Sequence, residues 1–376
     1  MNILIDKNIT FAEEAFSNLG KVKLINGREI SIKDLENIDV LIVGSTTKVN
    51  KELLKDSDIK FVGTATAGTD HIDTDYLNEK GIKFASAAGC NSWAVVEYVY
   101  AAIFYFYEKY SLILQNKSIG IIGCGSIGSK IAEVAKVFNI ELLINDPPLQ
   151  RKTGDEKYKS LEEVLSADII TFHVPLNESG QDKTVHLLNE ENINLIKPHA
   201  LLINTSRGPV IEKEALSKRL SQKRNIFTVI DVWENEPNID TELLNIIELA
   251  TPHIAGYSFE GKVNGTKMIY NSLCEFLNTT PAWQPKLPEI ENNKVDIRRA
   301  WSPEQNLHQI INNIYPIWKD GVQMRKLLEV KKEEIANTFD ELRKNYKLRR
   351  EFTNYCVEET MVLQKEAAEV LRLNLI

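Results

Sequence analysis

Arg207, Glu236 and His253 are the residues whose types and spacing point most directly to chemistry. Each follows a short apolar run that reads as a buried strand, and all lie downstream of a glycine-rich loop. A guanidinium presents a planar fork that meets a carboxylate with two parallel hydrogen bonds, which an ammonium cannot reproduce. A carboxylate beside an imidazole fixes its tautomer and favours its protonated form, so the ring can take or give one proton. Holding one carboxylate, moving one proton and leaving room for a hydride suits the oxidation of a 2-hydroxy acid. Around Arg207, in the 204–210 segment, Gly208 and Pro209 shape the turn. In the 231–237 segment, Glu236 is the candidate to orient the histidine. Glu234 competes for that role on composition alone, and Asp231, at the strand end, could face a nicotinamide carboxamide. His253 sits between Pro252 and Gly256, in a loop stiff enough to aim a general acid or base. His71 and His173 fall in strand-end loops and are candidates for ligand contact, whereas His186, His199 and His308 look peripheral. No set has metal-ligand spacing, so no metal is expected.

These side chains need a frame, and the glycines indicate which. Gly123, Gly125 and Gly128 form GxGxxG between the apolar run Ile119–Ile122 and an amphipathic helical stretch, 127–138. The first glycine permits a tight turn, the second lets backbone N–H groups approach a pyrophosphate, and the third allows helix and strand to pack closely. Asp146 ends the next strand, eighteen residues after Gly128. A carboxylate there accepts from a ribose 2′-hydroxyl and repels a 2′-phosphate, which favours NAD over NADP. Arg151 and Lys152 could soften that repulsion.

Short β-branched runs alternate with helical patterns along most of the chain, at residues 3–5, 41–43, 61–65 and 82–84, then 119–122, 142–144, 169–172, 201–203 and 227–232. This pattern predicts βαβ units and parallel sheets. The expected fold class is α/β: two Rossmann-like doubly wound parallel-sheet domains plus a small C-terminal α-rich domain. Ligands of such sheets bind beyond the carboxyl ends of the strands. The stretch 91–110 suits a long buried helix crossing between the two sheets. The stretch 260–277 suits a second long helix, which makes the first lobe discontinuous in sequence if it packs back there. Three prolines within 281–288 predict a semi-rigid linker. From residue 326 on, the tail has helical periodicity and no strand signal.

The chain has 376 residues, 43% of them apolar and 26% charged, which suits a globular protein of two or three domains. Its formal net charge of −8 argues against a nucleic-acid surface. The four cysteines have no paired spacing and read as free thiols in a reducing cytosol. The first residues read as a strand, not a signal peptide, and no apolar run approaches the roughly 20 residues needed to span a bilayer. A cytoplasmic protein with no membrane or nucleic-acid partner is expected.

The motifs around Gly123, Arg207, Glu236 and His253 resemble those of the D-isomer-specific 2-hydroxyacid dehydrogenases, over roughly residues 1–281. One branch of that family oxidises 4-phospho-D-erythronate in vitamin B6 synthesis and carries an extra C-terminal dimerisation domain. Segments 65–71, 89–91, 96–98, 145–148 and 253–258 resemble that branch, as do tail segments 339–343 and 349–352, so the likeness runs nearly full length. It implies a substrate-binding domain at 1–95, an NAD-binding domain at 96–256, a return segment at 257–285 and a homodimerising domain at 286–376. It also implies catalytic roles for Arg207, Glu236 and His253. Cofactor contacts carried over are Gly123, Gly125, Ser126, Ile127, Gly128, Asp146, Val174, Thr205, Ser206, Arg207, Asp231 and Gly256. Substrate contacts are Ser45, Thr66 and Tyr257. Ala88 and Ile127 depart from residues usual in the family (Pro and Val). The basic run 343–350 is a candidate to meet a substrate phosphate across a dimer interface, or else a solvated charged face. Two other readings stay open: a dehydrogenase for glycerate or phosphoglycerate, and an NAD(H)-sensing interaction protein on the same scaffold.

Overall fold

The structure, a computed structural model, describes residues 1–223, 225–297 and 302–376. The chain divides into two compact units, Met1–Ser92 with Tyr257–Glu289, and Trp93–Gly256 with Ile290–Ile376. The first unit is therefore discontinuous in sequence.

In the first unit five strands form a parallel sheet in the order β2-β1-β3-β4-β5: β1 Asn2–Asp6, β2 Lys21–Ile25, β3 Val40–Val43, β4 Phe61–Thr64 and β5 Lys83–Ser86. β3 and β4 are buried throughout, as central parallel strands covered on both faces should be. β2 is an addition to the expected set. It is a mostly exposed edge strand of sequence KVKLI, and its lysines mask the strand signal while discouraging further pairing. The helix Phe259–Phe276 returns to this unit, burying Ile269, Tyr270 and Leu273 among Ile3, Phe16 and Phe61. The proline-bearing segment that follows is not a plain spacer. Trp283 is buried, donates from Nε1 to Glu14 Oε1 at 2.9 Å, and stacks edge-on to Tyr270.

The second unit holds a six-stranded parallel sheet in the order β11-β10-β9-β8-β6-β7. Its strands are β6 Ser118–Ile122, β7 Glu141–Asn145, β8 Ile169–Phe172, β9 Leu201–Asn204, β10 Phe227–Ile230 and β11 Leu249–Ala250. The order reverses direction beside β6, which puts the glycine loop at the switch point where such sheets bind nucleotides. The helix Ser92–Lys109 packs within this unit, with Tyr100 stacked on Phe138 and Phe106 against Phe227. The tail is helical at Pro303–Ile314, Trp318–Met324 and Ile335–Lys344. It also contains two strands, Cys356–Val357 and Asn374–Leu375, paired in parallel. Two-residue strands carry no periodicity, so the sequence shows no strand signal for them, and the tail is otherwise α-rich as expected. Its Met324, Leu327 and Phe339 join the core of the second unit.

Candidate active site

His253 and Glu236 meet. Nδ1 of His253 lies 2.7 Å from Glu236 Oε2, and the other carboxylate oxygen accepts the Trp233 amide at 2.7 Å. Burial pushes the Glu236 carboxyl up, but the His253 charge and hydrogen bond, the Trp233 amide and the charge of Arg343 outweigh it and hold it below the ordinary value. A carboxylate kept ionised against Nδ1 makes that nitrogen the N–H donor and directs Nε2 away from it. The His253 side chain remains 31% accessible. Glu234, the rival by composition, instead faces His186 at 3.6 Å.

The loop that carries His253 leaves the end of β11 and is fastened to the end of β10. Asp231 is buried, and its Oδ1 accepts from Thr251 Oγ1 at 2.6 Å and the Ile254 amide at 2.7 Å. Oδ2 accepts from the Ala255 amide at 3.0 Å, and the Asp231 carbonyl oxygen accepts from the His253 amide at 2.7 Å. Burial raises the Asp231 carboxyl, against the pull of the His253 charge and these donors. His253 adopts φ 56°, in the left-handed region, so these bonds hold a conformation that a free chain would seldom take.

Arg207 follows β9. Asn204 organises this turn: its Oδ1 accepts from the amide and hydroxyl of Ser206, and its Nδ2 donates to the Arg207 carbonyl oxygen. Arg207 Nη1 donates to the Ser206 carbonyl oxygen at 2.7 Å. A Cβ on Gly208 would lie 2.0 Å from the Trp233 carbonyl carbon, so only glycine lets the Arg207 turn lie against the Glu236 turn. Thr205 Oγ1 lies 3.3 Å from His173 Nδ1, and His173 Nε2 lies 2.8 Å from Thr171 Oγ1. Burial pulls the His173 ring down to about 3, so it is a neutral brace between two hydroxyls.

The glycine loop has the shape a dinucleotide requires. Gly123 has φ 90°, and its backbone packs near Val174 and the His173 carbonyl. A Cβ on Gly125 would meet nothing within 4 Å, whereas one on Gly128 would meet the Gly123 oxygen at 2.0 Å. The middle glycine thus borders open space and the last is in contact with the turn. Ser126 is exposed beside it and Ile127 precedes the helix Gly128–Val137. Asp146 accepts the Cys124 amide at 2.8 Å and the Leu149 amide at 3.0 Å, joining this loop to the turn after β7. These residues fit NAD: amides and small residues for its phosphates and a carboxylate at the strand end for its ribose.

In the first unit, Ser45 is exposed in the turn after β3. Thr66 follows β4; its Oγ1 donates to the Gly68 carbonyl oxygen at 2.8 Å and lies 2.7 Å from Thr64 Oγ1, which in turn lies 3.0 Å from His71 Nε2. The Tyr257 ring is half-buried, with Lys262 Nζ 4.9 Å from its centre. Gly256 ends the His253 loop in the second unit.

Arg349 does not offer its charge to an external phosphate or to solvent. It is buried in its own chain with Nη1 2.6 Å from Glu97 Oε2, and Arg350 Nη2 donates to Asn354 Oδ1 at 2.9 Å. This corrects the basic-run expectation at Arg349. Glu97 was missed as its partner because one acid in an apolar helix gives no hint of a cation 252 residues away. Among the described residues, no three of His, Cys, Asp and Glu gather as a metal site, and no helix is long and apolar enough to cross a membrane.

Known proteins resemble this chain along nearly its whole length. Residues 106–255 match the D-isomer specific 2-hydroxyacid dehydrogenase, NAD binding domain, and residues 286–373 match a domain of unknown function (DUF3410). The chain is 41% identical over 362 residues to erythronate-4-phosphate dehydrogenase of Proteus mirabilis, covering 94% of each protein. It is 40% identical over 374 residues to erythronate-4-phosphate dehydrogenase of Photorhabdus laumondii, covering 99% of this chain and 97% of that one. Its fold is shared with NAD+-bound 3-phosphoglycerate dehydrogenase of Entamoeba histolytica (TM-score 0.62, 24% identity, 74% of this chain and 95% of that one). The fold is also that of Aquifex aeolicus D-lactate dehydrogenase complexed with NAD and lactic acid (TM-score 0.60, 24% identity, 74% and 96%). The chain belongs to the erythronate-4-phosphate dehydrogenases, within the D-isomer specific 2-hydroxyacid dehydrogenase family.

Proposed function

We propose that this protein oxidises 4-phospho-D-erythronate to 3-hydroxy-2-oxo-4-phosphobutanoate with NAD, a step toward vitamin B6. The 2.7 Å contact between His253 Nδ1 and Glu236 Oε2 carries the reading, because it aims a proton acceptor whose other nitrogen is turned away from the carboxylate. NAD, when bound, supplies the acceptor for the hydride of the substrate C2. His253 Nε2 takes the C2 hydroxyl proton, and Glu236 stabilises the imidazolium that results. In the reverse direction the same ring gives the proton back. Arg207 holds the α-carboxylate with its planar fork, and Ser45, Thr66 and Tyr257 contact the remainder of the substrate.

NAD is held by Gly123, Gly125, Ser126, Ile127 and Gly128 at its phosphates and by Asp146 at its ribose. Val174, Thr205, Ser206, Arg207, Asp231 and Gly256 complete its contacts. The substrate domain comprises residues 1–95 with the return segment 257–285, the NAD domain 96–256, and the homodimerising domain 286–376. The four free cysteines support a reducing, cytoplasmic setting.

The test is a substrate panel read by NADH fluorescence. Turnover of 4-phospho-D-erythronate in preference to D-glycerate and D-3-phosphoglycerate is expected. Preference for either of the other acids replaces the substrate assignment but keeps the chemistry, and no NAD-linked turnover of any 2-hydroxy acid removes both.

A further inference from the structure

The C-terminal segment reaches the His253 loop through one arginine. Arg349 follows the helix Ile335–Lys344, and its side chain is 6% accessible. Besides the bond to Glu97, its Nη2 donates to the carbonyl oxygens of Ala94 and, at 3.3 Å, Ala255. Glu97 is fully buried on the helix Ser92–Lys109, and its Oε1 accepts the Phe352 amide at 2.7 Å. The guanidinium carbon lies 4.5 Å from the centre of the Tyr315 ring. One side chain thus joins the tail, the long helix and the loop two residues beyond His253.

A charge pair this deep is a weak choice for stability alone, since the cost of removing both charges from water largely cancels their attraction. What an arginine adds is direction: a rigid fork of donors that fixes the places of the acceptors around it. One of those acceptors is the carbonyl of Ala255, whose amide is already held by Asp231 at 3.0 Å. Asp231 and Arg349 therefore grip the same loop residue through its two backbone groups.

We propose that Arg349 is a positioning residue: through Ala255 and Glu97 it sets where the loop holds the His253 imidazole against Glu236. This deepens the function proposed above and rests on His253 as the proton carrier. It gives the tail a task inside its own chain, separate from assembly.

The test compares Arg349→Met, Arg349→Lys and Glu97→Gln in the full chain, with His253→Asn as reference. Turnover is expressed per folded molecule, counted by NAD-binding stoichiometry. Arg349→Met is expected to lower kcat by roughly 10- to 100-fold, the scale of a small misplacement of a reacting group. KM for NAD should stay within about twofold, and the pH profile of kcat should shift. Arg349→Lys should recover only part of the loss, because it lacks the fork. A fall in melting temperature with wild-type kcat per folded molecule and an unmoved pH profile would overturn the proposal. If the Met variant does not fold, Arg349→Lys and Glu97→Gln decide by the same two readouts. Wild-type turnover in His253→Asn sinks the reading of the reaction itself. Loss there with unaffected Arg349 and Glu97 variants overturns the positioning claim alone.

Discussion

Asp231 holds His253 by the backbone: its carbonyl oxygen accepts the His253 amide at 2.7 Å, and its carboxylate accepts the next two amides. The strand end, through this carboxylate, fixes the loop and hence the direction of the ring. Glu236 then fixes the ring by its edge. Removing the imidazole while keeping the loop isolates its chemical contribution. Asn tolerates a left-handed φ better than most residues, so it is the cleaner replacement. His253→Asn and His253→Ala should both lower kcat by on the order of 10²–10⁴ with a smaller change in KM for the hydroxy acid. Steady-state kinetics of the two variants check this, and turnover equal to wild type excludes the role.

Arg207→Lys keeps the charge and loses the fork. Loss of one charge-assisted hydrogen bond costs roughly 1.5–3 kcal/mol, or about 10- to 150-fold in kcat/KM for the hydroxy acid. The bond to the Ser206 carbonyl is lost too, so a small drop in melting temperature accompanies it. An unchanged kcat/KM for the acid counts against carboxylate capture.

Besides the ribose contact proposed for it, Asp146 serves the loop, because it accepts the Cys124 and Leu149 amides. Asp146→Ala should raise KM for NAD by about 10-fold or more, from one charge-assisted bond, and narrow the preference over NADP. Parallel titrations with the two cofactors measure it. A constant NAD-to-NADP ratio of kcat/KM refutes the ribose contact, even if both values fall through loosening of the loop.

The glycine loop was legible because each glycine answers a local demand: φ 90° at Gly123, open space at Gly125 and a 2.0 Å approach at Gly128. The buried strands were legible for a similar reason, since β3 and β4 cover both faces with apolar side chains. What escaped was set by tertiary contact. The lysines of β2 disguise an edge strand, and the wedge at Trp283 depends on Glu14 and Tyr270, far away in the chain. Glu234 and Glu236 are two residues apart, and only the folded turn sends one to His186 and the other to His253. Arg349 lay in a charged run whose composition suggested solvent or phosphate, whereas its partner is a buried acid on another helix.

His173 provides the pH prediction. Its half-buried ring lies between Thr171 and Thr205, and the loss of water around it lowers its pKa from 6.5 to about 3. The unfolded chain binds a proton here below about 6.5, while the folded chain stays neutral down to about 3. Between those values the unfolded state holds more protons, so stability falls as the pH falls, by up to about 1.4 kcal/mol per unit from this one group. Above the upper value the contribution is fully present and constant. His173→Gln removes the titration while leaving donor and acceptor atoms for the two hydroxyls. It should be less stable than wild type at pH 7, and its stability should decline less steeply between pH 6 and 4. Urea unfolding at several pH values gives both slopes, and groups common to the two proteins cancel in their difference. Equal slopes would show that the ring is protonated in the folded state and is not the neutral brace assigned to it.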